Sequence, residues 1–141
     1  MKFWDASAVI PLITAEINRE RLLRVLDEDP LVVIWWETSV ELASALARRE
    51  RETVLMPQEV ESALEAARVL ADGWDEVVPS ALVRRTAERL LRVHLLRAAD
   101  SLQLAAALIA ADHDPATLEV VCLDTRLAAA ARREGFRLVE A

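Results

Sequence analysis

KFWDASAVI (residues 2–10) and EVVCLDTRL (residues 119–127) are the two stretches whose reading decides the fold. Each is a short run of β-prone apolar residues that ends in an aspartate, Asp5 or Asp124, and passes at once into a helix-prone segment. A strand feeding directly into a helix is the repeating unit of a parallel sheet, and the acid then stands at the edge where open α/β sheets bind ligands. LVVIW (31–35) and LEVVCL (118–123) are apolar along most of their length, as strands covered by helices on both faces are. Around them the pattern predicts strands over 2–5, 31–35, 74–78, 118–123 and 136–139. It predicts helices over 7–15, 17–28, 38–52, 57–72, 80–95, 99–111 and 125–134, with Gly73 and Gly135 as helix terminators. The expected fold is a three-layer α/β/α sandwich around a central, mostly parallel sheet.

With 141 residues, 54% of them hydrophobic, the chain is long enough for one well-cored domain, expected to span 1–141. No linker, repeat or low-complexity segment interrupts it. The N-terminus enters a strand without a secretory apolar region, and no apolar run approaches the roughly 18 residues that span a bilayer, so a cytoplasmic protein with no membrane partner is expected. Cys122 is the single cysteine and reads as buried strand, which excludes an internal disulfide or a cysteine-cluster metal site. A net charge of −7 argues against a general polyanion binder and requires any nucleic-acid site to be local. Arg85, Arg89 and Arg92 fall at i, i+4 and i+7 and read as a solvated helix face.

Four acids stand out by position. Asp5 and Asp124 lie where strands end, and each also suits a helix N-cap. Glu41 closes Thr38-Ser39-Val40-Glu41, a sequence that also fits a capping box. Asp100 opens ADSLQLAAALIAA (99–111), a helix with almost no polar position after Gln103; an ionised carboxylate there is costly unless paired, N-terminal or metal-bound. Helix caps need no relation to one another, whereas these four can share one sheet edge, and acids gathered there repel one another unless a cation is bound.

These residues carry a resemblance. The Asp5-Ala6-Ser7 opening, TSVELASALAR (38–48) with Glu41, RAADSLQLAAAL (97–108) with Asp100 and CLDTRLAAAARREGF (122–136) with Asp124 together resemble the PIN-domain proteins of the VapC type, the ribonuclease toxins of type II toxin–antitoxin pairs. The likeness covers essentially the whole chain. It implies a catalytic, metal-binding quartet of Asp5, Glu41, Asp100 and Asp124, with Asp5 and Asp100 as principal ligands and Ser7 as the hydroxyl near the first strand. The cofactor it implies is Mg²⁺ or Mn²⁺, hard cations that prefer oxygen ligands. The implied reaction is hydrolysis of RNA to a 5′-phosphate and a 3′-hydroxyl. The implied partners are an RNA substrate, a cognate antitoxin and a second copy of the chain in a homodimer. Cys122 departs from the Ser or Thr that the family often carries two positions before the fourth acid.

For the substrate, Arg48 lies seven residues after Glu41, about 10 Å further along the same helix face. Arg97 and Arg126 flank two of the acids in sequence. All three are candidate phosphate contacts, and with Ser7 they make up the candidate substrate-binding set. Of Trp35 and Trp36, successive strand positions point oppositely, so one is expected in the core and the other free to stack a base or meet a partner. His94 and His113 read as surface or helix-end residues rather than a zinc pair. Helices 17–28 and 57–72 are candidate docking faces for the antitoxin. The alternative is a non-catalytic PIN-like module that binds RNA or protein. A response-regulator receiver would need a lysine near the site, and the one lysine is Lys2; a nucleotide-binding fold would need a glycine-rich loop, which is absent.

Overall fold

The computed structural model describes residues 1–139. Its strands are β1 (Lys2–Trp4), β2 (Val32–Trp35), β3 (Asp75–Val77), β4 (Glu119–Val121) and β5 (Arg137–Leu138). Its α-helices are α1 (Ala6–Ile13), α2 (Arg19–Glu28), α3 (Thr38–Arg51), α4 (Pro57–Ala71), α5 (Ala81–Val93), α6 (Ala98–Ala110) and α7 (Thr125–Arg133). Every expected element forms, with ends shifted by a residue or two and the strands shorter than expected. One short 3₁₀ turn at Pro115–Thr117 was not anticipated.

All strand pairs are parallel, in the order β3-β2-β1-β4-β5. The strand order reverses between β1 and β4, so the crevice at the carboxyl ends of these two strands is the topological switch point, where open α/β sheets take their ligands. Pairing of Trp4 with Val121 sets Asp5 beside Cys122 at that crevice, and the Asp5 amide donates to the Val121 carbonyl at 3.0 Å.

Side chains alternate across the sheet and fill two cores. Trp4, Val32, Ile34 and Val121 point toward α1–α4, while Phe3, Val33, Trp35 and Val120 point toward α5–α7. Three layers result, as the alternation of β-prone and helix-prone segments predicts. Helix α6 runs through the second core with Leu104, Ala105, Ala106, Ala107 and Leu108 all buried, which accounts for its near absence of polar residues. Gly135 closes α7 with φ of 102°, and a Cβ there would stand 3.1 Å from the Pro115 ring. Both facts favour glycine. Among the described residues no single helix is long and apolar enough to cross a membrane.

Candidate active site

Asp5 leaves β1 as the N-cap of α1. Its Oδ2 accepts from the Ser7 amide at 3.0 Å and from the Ser7 hydroxyl. Asp124 occupies the equivalent place after β4, capping α7 by accepting from the Leu127 amide at 2.7 Å. Capping and placement at the edge are thus the same arrangement. A short acid that ends a strand and begins a helix is fixed by local hydrogen bonds at the crevice mouth. Ser7 ties the two strand ends together, because its Oγ also accepts from the amides of Leu123 (2.9 Å) and Asp124 (3.2 Å).

Glu41 does not act as a capping-box partner. Its Oε1 accepts instead from Gln103 Nε2 on α6 at 2.9 Å, and the same amide group reaches Thr38 Oγ1 at 3.1 Å. Gln103 is 1% exposed, so a buried amide on an otherwise apolar helix holds the glutamate from behind. The sequence reading missed this residue and Thr38. The signal was Gln103 itself, a large polar side chain on the buried face of α6, where the other buried polar residue is the small Ser101.

Asp100 sits in the first turn of α6. Like-charge coupling runs through the whole set: Asp5 with Asp100, Glu41 with both, and Asp100 with Asp124. Burial, aided by Asp100, raises the Asp5 carboxyl above the usual carboxylate range despite the Ser7 bonds. Burial lifts Glu41 to about 7, against the pull of Gln103 and with help from Asp5, Glu37 and Asp100. Asp100 is raised by burial and by Asp124, opposed by the Arg97 backbone amide and the charges of Arg97 and Arg126. Two of the three proposed arginines therefore do bear on the acids electrostatically.

Arg48 lines a cleft of about 500 Å³ that also includes Ser7. Cys122 is buried as expected, yet it is not inert core, since its Sγ stands 3.7 Å from Asp5 Oδ2 and 3.8 Å from Ser7 Oγ. Burial and the neighbouring Asp5 push its thiol strongly up, so it remains protonated. Trp35 is core and donates to Glu37 Oε2 at 3.3 Å, while Trp36 is half exposed beside Arg84 and Leu102. His113 is exposed and His94 ends α5, both as read; His94 is in addition buried, with Nε2 2.7 Å from Glu134 Oε1.

No group of three or more His, Cys, Asp or Glu among the described residues encloses a metal ion by itself. The donor set nevertheless fits a hard cation. It is all carboxylate, it is partly buried, and like-charge neighbours help hold the Asp5, Glu41 and Asp100 carboxyls above their ordinary range. Mg²⁺ keeps several of its waters and needs one or two direct carboxylates rather than a full protein cage.

A parallel α/β/α sandwich with acids gathered at its switch point is the architecture of PIN-like nucleases. No protein-family profile matches the chain. It is 31% identical over 142 residues to Ribonuclease VapC45 and to Ribonuclease VapC49, both of Mycobacterium tuberculosis, covering 99% of this chain and 94% of each relative. Among solved structures it resembles M. tuberculosis VapC20, a sarcin-ricin loop cleaving toxin, with a TM-score of 0.73 and 19% identity over 100% of this chain and 98% of that one. FitAcB from Neisseria gonorrhoeae gives 0.68 and 18%, covering 99% of this chain and 97% of that one. A toxin–antitoxin complex from Klebsiella pneumoniae gives 0.65 and 16%, covering 92% and 91%. The chain belongs to the VapC family of ribonucleases.

Proposed function

We propose that this chain is a metal-dependent endoribonuclease that hydrolyses phosphodiester bonds at the β1/β4 crevice and serves as the toxin of a toxin–antitoxin pair in the cytoplasm. The observation that carries the reading is the gathering of Asp5, Glu41, Asp100 and Asp124 at one sheet edge, electrostatically coupled to one another, with none of them in an ion pair among the described residues. Asp5 and Asp100 would hold Mg²⁺ or Mn²⁺, with Glu41 and Asp124 completing the shell directly or through water. The bound ion would supply Lewis acidity toward water and phosphate oxygens.

The chain's own residues do the rest. Ser7 fixes the Asp5 carboxylate and, by accepting from two amides of the β4–α7 turn, locks the two strand ends in register. Gln103 fixes Glu41. Arg97 and Arg126, beside Asp100, offset the negative potential that an incoming phosphate meets. Homodimer formation and capture by an antitoxin rest on the likeness to VapC proteins and to a toxin–antitoxin complex.

The test is cleavage of a mixed RNA substrate by the purified, antitoxin-free protein with Mg²⁺ or Mn²⁺, with EDTA, and beside a folded Asp100→Asn variant. Metal-dependent cleavage lost in the variant is the expected result. RNA left intact across varied substrates would favour the non-catalytic binding module.

A further inference from the structure

Arg48, Arg97 and Arg126 draw attention because they lie near the acids in sequence or along one helix. The folded chain adds a different pair. A cleft of about 390 Å³ opens beside β4 and α7, walled by Arg21, Leu123, Asp124, Thr125, Ala128 and Arg132. Thr125, Ala128 and Arg132 are spaced i, i+3 and i+7, one face of α7, so the cleft runs about 10 Å along that helix from the acidic edge. Arg21 reaches it from the first turn of α2. Leu123 is also a wall of the larger cleft that holds Ser7 and Arg48, so the two clefts adjoin where Ser7 bonds the Leu123 amide.

The two clefts differ in charge. In the larger one Arg48 and Arg49 face Glu16 and Glu52, and Arg49 is already bound to Glu16 at 2.6 Å. In the smaller one the charged walls are Arg21, Arg132 and Asp124, and neither arginine forms an ion pair among the described residues. In a protein of net charge −7, this is a local basic cleft that opens directly onto one acid of the edge.

We propose that Arg21 and Arg132 hold backbone phosphates of a single-stranded RNA as it passes from the acidic edge along α7. The proposal rests on the nuclease reading and gives its substrate a path. Guanidinium groups present a planar fork that fits a phosphate, and unpaired ones lose no protein partner on binding. The contacts are to backbone charge, so they position the RNA without reading its sequence.

The experiment is fluorescence anisotropy of a labelled single-stranded RNA across a salt series, with Mg²⁺, on a cleavage-impaired Asp100→Asn background. The comparison is between that parent, the Arg21→Ala/Arg132→Ala pair and an Arg85→Ala/Arg92→Ala pair that removes equal charge from the solvated face of α5. Two lost phosphate contacts should make the slope of log affinity against log salt shallower by about 1.4, with weaker binding at low salt. The α5 pair should leave the slope near that of the parent. An Arg21→Lys/Arg132→Lys pair, which keeps the charge and guards against a folding artefact, should restore most of the slope. A parent that binds RNA with a slope unchanged by the alanine pair overturns the proposal and leaves the nuclease reading standing. Equal loss in the α5 pair overturns it too, by assigning the effect to overall charge. A parent that binds no RNA overturns the proposal, while metal-dependent cleavage by the wild type decides the nuclease reading separately.

Discussion

Glu134 and Glu41 are both partly buried glutamates with a nitrogen at hydrogen-bond distance, yet their acidities move in opposite directions. Burial alone would raise both. At Glu134 the bonds from His94 and Arg89 outweigh burial and hold the carboxyl below its usual range. At Glu41 the one donor is the neutral amide of Gln103, and Asp5, Glu37 and Asp100 add to burial instead of opposing it. The first region has satisfied its charge within the chain and stitches the end of α5 to the end of α7. The second has gathered charge without a protein cation to neutralise it, which is what a site built for an external cation requires.

The comparison breaks most visibly at Asp100. Asp100→Asn should lower RNA cleavage by more than about 100-fold, beyond the 10- to 100-fold typical of residues that merely support a metal ligand. The same change should raise the metal-free melting temperature near pH 7, because it removes one of several mutually repelling charges. A variant with full activity, or one that is inactive because it is unfolded, would contradict the assignment.

Gln103→Leu sharpens the contrast at Glu41. Removing the amide leaves the glutamate and Thr38 without their shared donor, and Mn²⁺ affinity should fall by about 10- to 100-fold. Titration calorimetry would measure it directly. In the other region, Glu134→Gln replaces a charged acceptor for His94 and Arg89 with a neutral one and should cost about 1–3 kcal/mol in denaturant unfolding, with Mn²⁺ affinity unchanged.

The smallest effect is in the pH dependence of stability, and its sign differs between the regions. Asp5, Glu41 and Asp100 hold protons in the folded chain that the unfolded chain releases near its ordinary carboxyl range, about pH 4 to 4.5. The folded state therefore binds more protons, so in EDTA stability should fall as pH rises from that range through about 7, where Glu41 titrates. Mg²⁺ should flatten this decline. Glu134, with its lowered value, contributes stability that is present above the ordinary carboxyl range and lost as pH falls through its own titration. Melting curves against pH, with and without Mg²⁺ and in Glu134→Gln, separate the two slopes.

Much of this was legible in the sequence because the determinants are local. A strand that ends in Asp5 or Asp124 and begins a helix specifies both the cap and the position at the edge. The largely apolar α6 declares its burial, and Gly135 marks the end of α7 by its own backbone conformation. What escaped depends on contacts between distant segments. Thr38-Ser39-Val40-Glu41 looks like a capping box because the competing partner, Gln103, lies 62 residues away. His94 looked like a helix-end residue and is one, but its burial against Glu134 follows from how α5 and α7 meet. Arg21 and Arg132 line one cleft although α2 and α7 lie far apart in the chain, which no spacing along the sequence reveals.

The proposed charging of the β1/β4 edge for a divalent cation can be measured by calorimetric titration of Mn²⁺ into the metal-stripped protein near pH 7, with Asp100→Asn and Glu134→Gln alongside. The account predicts saturable binding accompanied by proton release in the wild type and in Glu134→Gln, and its loss in folded Asp100→Asn. Absence of binding in the wild type, or binding indifferent to Asp100, would contradict it.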